Sequence, residues 1–215
     1  MARLLVATSN PGKLAEIREI LEHLPVDIHT LRDLGPVSEP EETGTTFAEN
    51  ARLKALYYDA AAHAAPSTAP PVARYTVAED SGLAIDALDG EPGARSARFL
   101  RADATYAERF SEIYRRLAEV RPRAWDARFI CALAVVRAGA VVYETTATIE
   151  GRIADPPSGA DGFGYDPIFY HPPSACTLAE ITKSAKARIS HRGGAFRRFA
   201  DWLEPHLHPR PVGRT

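Results

Sequence analysis

The opening segment, residues 1–24, limits the fold most. Residues 3–8 form an apolar run of strand composition, Ser9, Asn10, Pro11 and Gly12 follow as a turn that can also start a helix, and Leu14, Ile17, Leu21 and Leu24 then recur at helical spacing. A strand that passes through one tight loop into an amphipathic helix is the first unit of an α/β architecture. The loop between them is where a ligand would meet helix N-terminal amides.

The rest of the chain extends this pattern. Thr46 with Glu49, and Thr105 with Glu108, have capping-box spacing and predict two further helices, one reaching about His63 and one carrying Phe110, Ile113, Leu117 and Val120 inward. Tyr75–Ala78 predicts a strand that ends at the acidic segment Glu79-Asp80-Ser81-Gly82. Residues 129–136 and 141–149, rich in Val, Ile, Ala and Thr, predict a hairpin across Arg137-Ala138-Gly139-Ala140. Ser190 predicts the cap of a last helix whose Phe196, Phe199 and Leu203 face inward. The Pro-rich stretch 64–74 reads as an exposed loop and 204–215 as a loose C-terminal tail.

With 215 residues, 45% apolar and 25% charged, the chain can bury a real core, and a single domain over 1–215 is expected. A net charge of −2 offers no broad basic field for nucleic acid. Cys131 and Cys176 have neither disulfide-framework nor zinc spacing. No apolar stretch approaches membrane-spanning length, so a cytoplasmic place is expected by elimination.

Four segments carry chemistry. Lys13 stands in the first turn of a helix, where the macrodipole disfavours a cation, so an anion such as phosphate is expected beside it; Thr8, Ser9, Asn10, Pro11 and Gly12 supply hydroxyl, amide and close backbone. The alternative is a lysine whose stem covers surface with its ammonium in water. At Glu79-Asp80, adjacent carboxylates point in different directions, so one can hold magnesium while the other orients or serves structure; Glu39, Glu41 and Glu42 could add a second carboxylate or be a solvated loop. Gly162-Phe163-Gly164-Tyr165-Asp166-Pro167 offers flat faces for a purine or, alternatively, a turn whose aromatics plug the core. Lys186, His191 and Arg192 gather cations at the start of the last helix, while Arg188, Arg197 and Arg198 read as surface charges.

In order along the chain, Ala7-Thr8-Ser9-Asn10-Pro11-Gly12-Lys13, Glu41-Glu42-Thr43-Gly44 with Phe47 and Glu49-Asn50-Ala51, Glu79-Asp80-Ser81-Gly82-Leu83, Gly162–Pro167 and Ile189-Ser190-His191-Arg192-Gly193 resemble the inosine triphosphate pyrophosphatase, or Ham1-like, family from about residue 3 to residue 203. The resemblance implies a mixed α/β fold with a long, twisted central sheet flanked by helices, two lobes around a nucleotide-binding cleft, and a homodimer. It implies hydrolysis of inosine, deoxyinosine and xanthosine triphosphates to monophosphate and pyrophosphate with Mg2+. Carried over by position, Asp80 would be the general base and, with Glu42 preferred over Glu41, a magnesium ligand. Thr8, Ser9, Asn10, Pro11, Gly12 and Lys13 would bind triphosphate, and Ser81, Phe163, Gly164, Tyr165, Asp166, Lys186, His191 and Arg192 would contact the nucleotide. Ser9 departs from the Gly common in relatives, and Lys183 from an often acidic segment.

Overall fold

The computed structural model describes residues 2–64, 75–120 and 125–207. Seven strands form one mixed sheet in the order β2-β1-β3-β4-β5-β6-β7. β1 (Ala2–Val6) runs parallel to both β2 (Val26–Thr30) and β3 (Tyr75–Ile85), whereas β3, β4 (Asp126–Arg137), β5 (Ala140–Ile153), β6 (Phe169–His171) and β7 (Cys176–Thr177) pair antiparallel in turn. The helices are α1 (Pro11–Leu21), α2 (Phe47–Ala64), α3 (Tyr106–Glu119), α4 (Lys183–Ile189) and α5 (His191–Leu207). Among the described residues, no helix is long and apolar enough to cross a membrane.

Each helix start follows from its capping chemistry. Asn10 caps α1 by accepting from the amides of Gly12 (2.9 Å) and Lys13 (3.1 Å), with Pro11 in the first turn where its missing N–H costs nothing. The two predicted capping boxes are formed: Glu49 accepts from the Thr46 amide (3.1 Å) and Glu108 from the Thr105 amide (2.7 Å), while each threonine hydroxyl accepts from the glutamate's amide. Ser190 caps α5 through the Gly193 amide at 2.9 Å.

Strand alternation distributes the side chains among three cores. Leu4, Val6, Tyr75, Val77, Cys131, Leu133 and Val135 face α1 and α5, where Phe196, Phe199 and Leu203 are at most 1% exposed and each contributes about 1.5–3 kcal/mol by burial. On the opposite face, Leu5, Ala78, Ala132, Ala134 and Val136 meet Ala51, Ala55 and Tyr58 of α2. Farther along the same strands, Leu83, Ile85, Phe129, Ile149 and Ile153 join Ile113 and Leu117 of α3 in the core of a second lobe. The length of β3 to β5 thus ties two lobes to one sheet.

Three expectations need correction. β3 does not end at the acidic segment; it runs straight through it to Ile85, because the pairing with β4 continues without a break from Thr76 to Ile85. Residues 204–207 are not loose tail: α5 continues through Pro205 to Leu207, the proline forgoing one hydrogen bond in the last turn. Residues 208–215 and, apart from the helical Ala64, the loop expected at 64–74 lie outside the described residues. Arg197 is no plain surface charge, since it donates to the carbonyls of Ala187 and Arg188 (both 2.8 Å) at the end of α4.

The α4–α5 corner depends on Gly193. A Cβ there would overlap the Ala187 carbonyl oxygen and crowd the Arg197 guanidinium. Gly193→Ala is therefore expected to destabilise the fold by about 1–3 kcal/mol, the range for overpacking a tight contact. Chemical denaturation of the two proteins checks this, and an unchanged midpoint would refute the contact.

Candidate nucleotide site

The segment Glu79–Gly82 lies in β3 between the residues that feed the first cores and those that feed the far lobe. Successive residues there point to opposite faces. Glu79 and Ser81 face α1 and α5, and Asp80 faces α2, so two neighbouring carboxylates have different surroundings.

Glu79 belongs to a chain of buried charges. Its carboxylate takes the Lys13 ammonium at 2.8 Å and Arg192 Nε at 3.3 Å. Arg192 then donates to Glu16 (2.6 Å) and Ser81 Oγ (2.9 Å), Lys186 bonds Glu16 (2.9 Å) and Asp166 (2.6 Å), and Asp166 accepts the Phe163 amide (2.7 Å). Burial opposes the charge on Glu79, yet Lys13 and Arg192 outweigh it and hold the carboxyl well below its ordinary pKa. The Asp166 carboxyl is pushed up because burial outweighs Lys186. Cys131, whose thiol lies 3.5 Å from Glu79, is pushed well above the ordinary thiol range by burial and then by that negative charge, which makes it an inert core thiol.

Asp80 sits in a second cluster. Lys54 Nζ lies 3.0 Å from its carboxylate and 2.9 Å from Glu42, and Asn50 donates to Asp80 at 3.3 Å. Arg98 adds a second contact to Glu42 at 3.0 Å. Burial raises the Asp80 pKa in spite of Lys54. Glu41, by contrast, is exposed.

A cleft beside this strand brings together Asn10, Lys13, Ser81, Phe163, Gly164, Tyr165, Asp166, Lys186, His191 and Arg192, all expected there. Gly12 lies beneath Phe163, 3.0 Å separating a Cβ placed on it from the ring. Thr8, Ser9 and Pro11 line a neighbouring cleft instead, where Ser9 Oγ donates to Glu39 at 2.8 Å. The expected anion beside Lys13 is present within the protein as Glu79, and the first-turn amides of Gly12 and Lys13 are engaged by Asn10. Phe163 lies under two cations, its centroid 4.4 Å from Lys186 Nζ and 5.5 Å from the Arg192 guanidinium carbon.

His191 stacks on Phe129 with centroids 4.8 Å apart, and its Nδ1 is buried without a hydrogen-bond partner. Burial, then the nearby Arg192 charge, pushes its pKa well down, so the ring is neutral. The residue as a whole lines the cleft, so its ring forms part of the cleft wall.

Sequence reading missed Lys54 and Glu16. Neither had a local signal, because the partners are distant in the chain: Glu42 and Asp80 for Lys54, Lys186 and Arg192 for Glu16.

A sequence model described as the Ham1 family matches residues 4–202. The chain belongs to that family. Among relatives, proteins named dITP/XTP pyrophosphatase from Exiguobacterium sibiricum and Bacillus subtilis are each 40% identical, over 95% of this chain and 98% of theirs. A solved HAM1 protein from Coxiella burnetii superposes with a TM-score of 0.84 at 35% identity, covering 94% of this chain and 98% of that one. The Staphylococcus aureus Ham1 protein gives 0.80 at 33% identity, over 95% and 99%. The sheet and flanking helices described above are therefore those of the Ham1 fold.

The neutral His191 couples this site to pH. Its folded pKa lies well below the ordinary 6.5, so below about pH 6.5 the unfolded chain binds the extra proton and stability falls, by at most about 1.4 kcal/mol per pH unit. The contribution is fully present above that pH. Melting curves between pH 5.5 and 7.5 should show a shallower loss on acidification for His191→Gln than for the parent; equal slopes would contradict a neutral buried ring.

Proposed function

We propose that this Ham1 protein hydrolyses deaminated purine nucleoside triphosphates, such as those of inosine, deoxyinosine and xanthosine, to the monophosphate and pyrophosphate. The observation that carries the reading is a cleft whose wall brings neutral His191 together with the aromatic Phe163 and the cations Lys13 and Lys186. With a proton on the ring nitrogen that reaches the cleft, His191 would donate to the 6-oxo group of hypoxanthine or xanthine. Adenine presents an amino donor there and would leave the histidine unpaired. The names of the relatives support the same substrate class.

Asp80 is the proposed base for the attacking water. Its raised pKa makes it a stronger base than a free carboxylate, and Lys54 and Asn50 fix both of its oxygens. Lys13 offsets charge on the departing pyrophosphate, and the alignment of water, α phosphorus and leaving group supplies much of the rate.

The residues also fit magnesium. The Lys54 ammonium already stands between Glu42 and Asp80 as a cation would, and magnesium typically takes one or two carboxylates together with substrate phosphates. Among the described residues, no group of three or more His, Cys, Asp or Glu side chains could hold a metal on its own. When bound there, the ion would supply charge neutralisation at the phosphate oxygens.

Three measurements bear on this. Parent protein with dITP or XTP and magnesium should release pyrophosphate and monophosphate; orthophosphate with diphosphate would place the cut at the γ phosphorus and sink the reading. Asp80→Asn should turn over about 10²–10⁴-fold more slowly, the usual contribution of a positioned base, while still binding nucleotide. Turnover at the parent rate would remove Asp80 from the chemistry. Lys13→Ala should weaken binding of a non-hydrolysable triphosphate analogue, and unchanged affinity would argue that Lys13 serves only Glu79.

A further inference from the structure

The first residue of α3, Tyr106, is 41% exposed, an unusual position for a large aromatic, and it lines the same cleft as Phe163 and His191. Its ring is nonetheless held. Tyr165 stands perpendicular to it with centroids 5.3 Å apart, and the Arg109 guanidinium lies over it at 4.9 Å. Gly164, at φ +69, brings the Gly162–Asp166 turn up to its hydroxyl: a Cβ on Gly164 would lie 3.5 Å from Tyr106 Oη.

Arg109 strengthens the case. It is only 4% exposed, pairs with no carboxylate among the described residues, and reaches the Arg101 and Ala102 carbonyls at 3.5 and 3.4 Å, with Nε left without a partner. A buried cation without a counter-ion is costly unless something electron-rich faces it. Here the Tyr106 ring does so. The pair, three residues apart on α3, holds an aromatic at the cleft mouth, where it would otherwise have little reason to stay ordered in water.

We propose that Tyr106 is the outer wall of the base pocket, against which the purine of a bound nucleotide packs, and that Arg109 is the positioning residue that holds the ring there. This rests on the reading of the cleft as a base site. The ligand is recognised by its bicyclic face, so the triphosphate moiety alone gains nothing from Tyr106.

Calorimetric titration with dITP under metal chelation measures this without turnover, and inorganic tripolyphosphate serves as the baseless probe. Tyr106→Ala should weaken dITP binding about tenfold, the scale of one lost base–aromatic contact, and leave tripolyphosphate unchanged. Tyr106→Phe should bind dITP as the parent does. Arg109→Gln should weaken dITP binding by a smaller factor and add nothing on top of Tyr106→Ala, because it acts through that ring. Parent-like dITP affinity in Tyr106→Ala overturns the proposal, as does equal weakening for dITP and tripolyphosphate, which would mean the whole cleft had shifted. Additive losses in the double variant would overturn the role of Arg109. Failure of the parent to release pyrophosphate would count against the proposed reaction and leave these binding outcomes to be read on their own.

Discussion

The contact between Glu79 and Arg192 is the constraint on which the rest of the structure turns. Both side chains are 2% exposed, and an unpaired charge in such a place would cost several kcal/mol. Neither is left unpaired: Lys13, Glu79, Arg192, Glu16, Lys186 and Asp166 alternate in sign along one continuous path. Three cations and three carboxylates cancel, so the array can sit in a poor dielectric as a whole while no member could sit there alone. Its members come from α1, β3, the turn after β5, α4 and α5, so the pairing fixes the relative placement of elements far apart in sequence. Buried ion pairs are weak evidence for stability, since packed apolar residues often do as well. What the array provides is a fixed geometry at the junction of two cores.

The strand that carries Glu79 also gives its two adjacent carboxylates different surroundings. Period-two alternation turns Glu79 toward α1 and α5 and their cations, and turns Asp80 toward α2. Glu79 is thereby locked as an anion with both of its main partners supplied by the fold. Asp80 has one ammonium, shared with Glu42, and its pKa moves up instead of down. Two neighbouring carboxylates on opposite faces of one strand thus have their pKa values moved in opposite directions.

What could be read in the sequence was what depends on near neighbours. The strand, loop and helix at the start, the capping boxes at Thr46 and Thr105, the Ser190 cap and the 137–140 hairpin all rest on contacts within a few residues. β2, β6, β7 and α4 were not read, being five residues, three, two and seven, too short for a period to declare itself. The cationic residues of the site were found, but the partner of Lys13 was not: the anomaly at the helix start pointed to an anion, and the anion is Glu79, 66 residues away in sequence. Lys54 was passed over for the same reason. A lysine on a helix looks like any solvated lysine until the strand that brings Asp80 to it is in place.

That distant pairing changes what Lys13 can do for a ligand. An ammonium has three N–H donors, and Glu79 engages Lys13 at a single short contact, so donors remain for phosphate oxygens without breaking the pair. Keeping Glu79 holds the ammonium at the cleft wall before a ligand arrives, which spares the ordering of a long, flexible side chain at that moment. It also sets a limit. Glu79 is a fixed negative charge behind Lys13, so the pair attracts phosphate less strongly than a free lysine would. On the other face of β3 the same logic recurs, because the Glu42 and Asp80 carboxylates share the Lys54 ammonium and are likewise held in place by a charge from the fold itself.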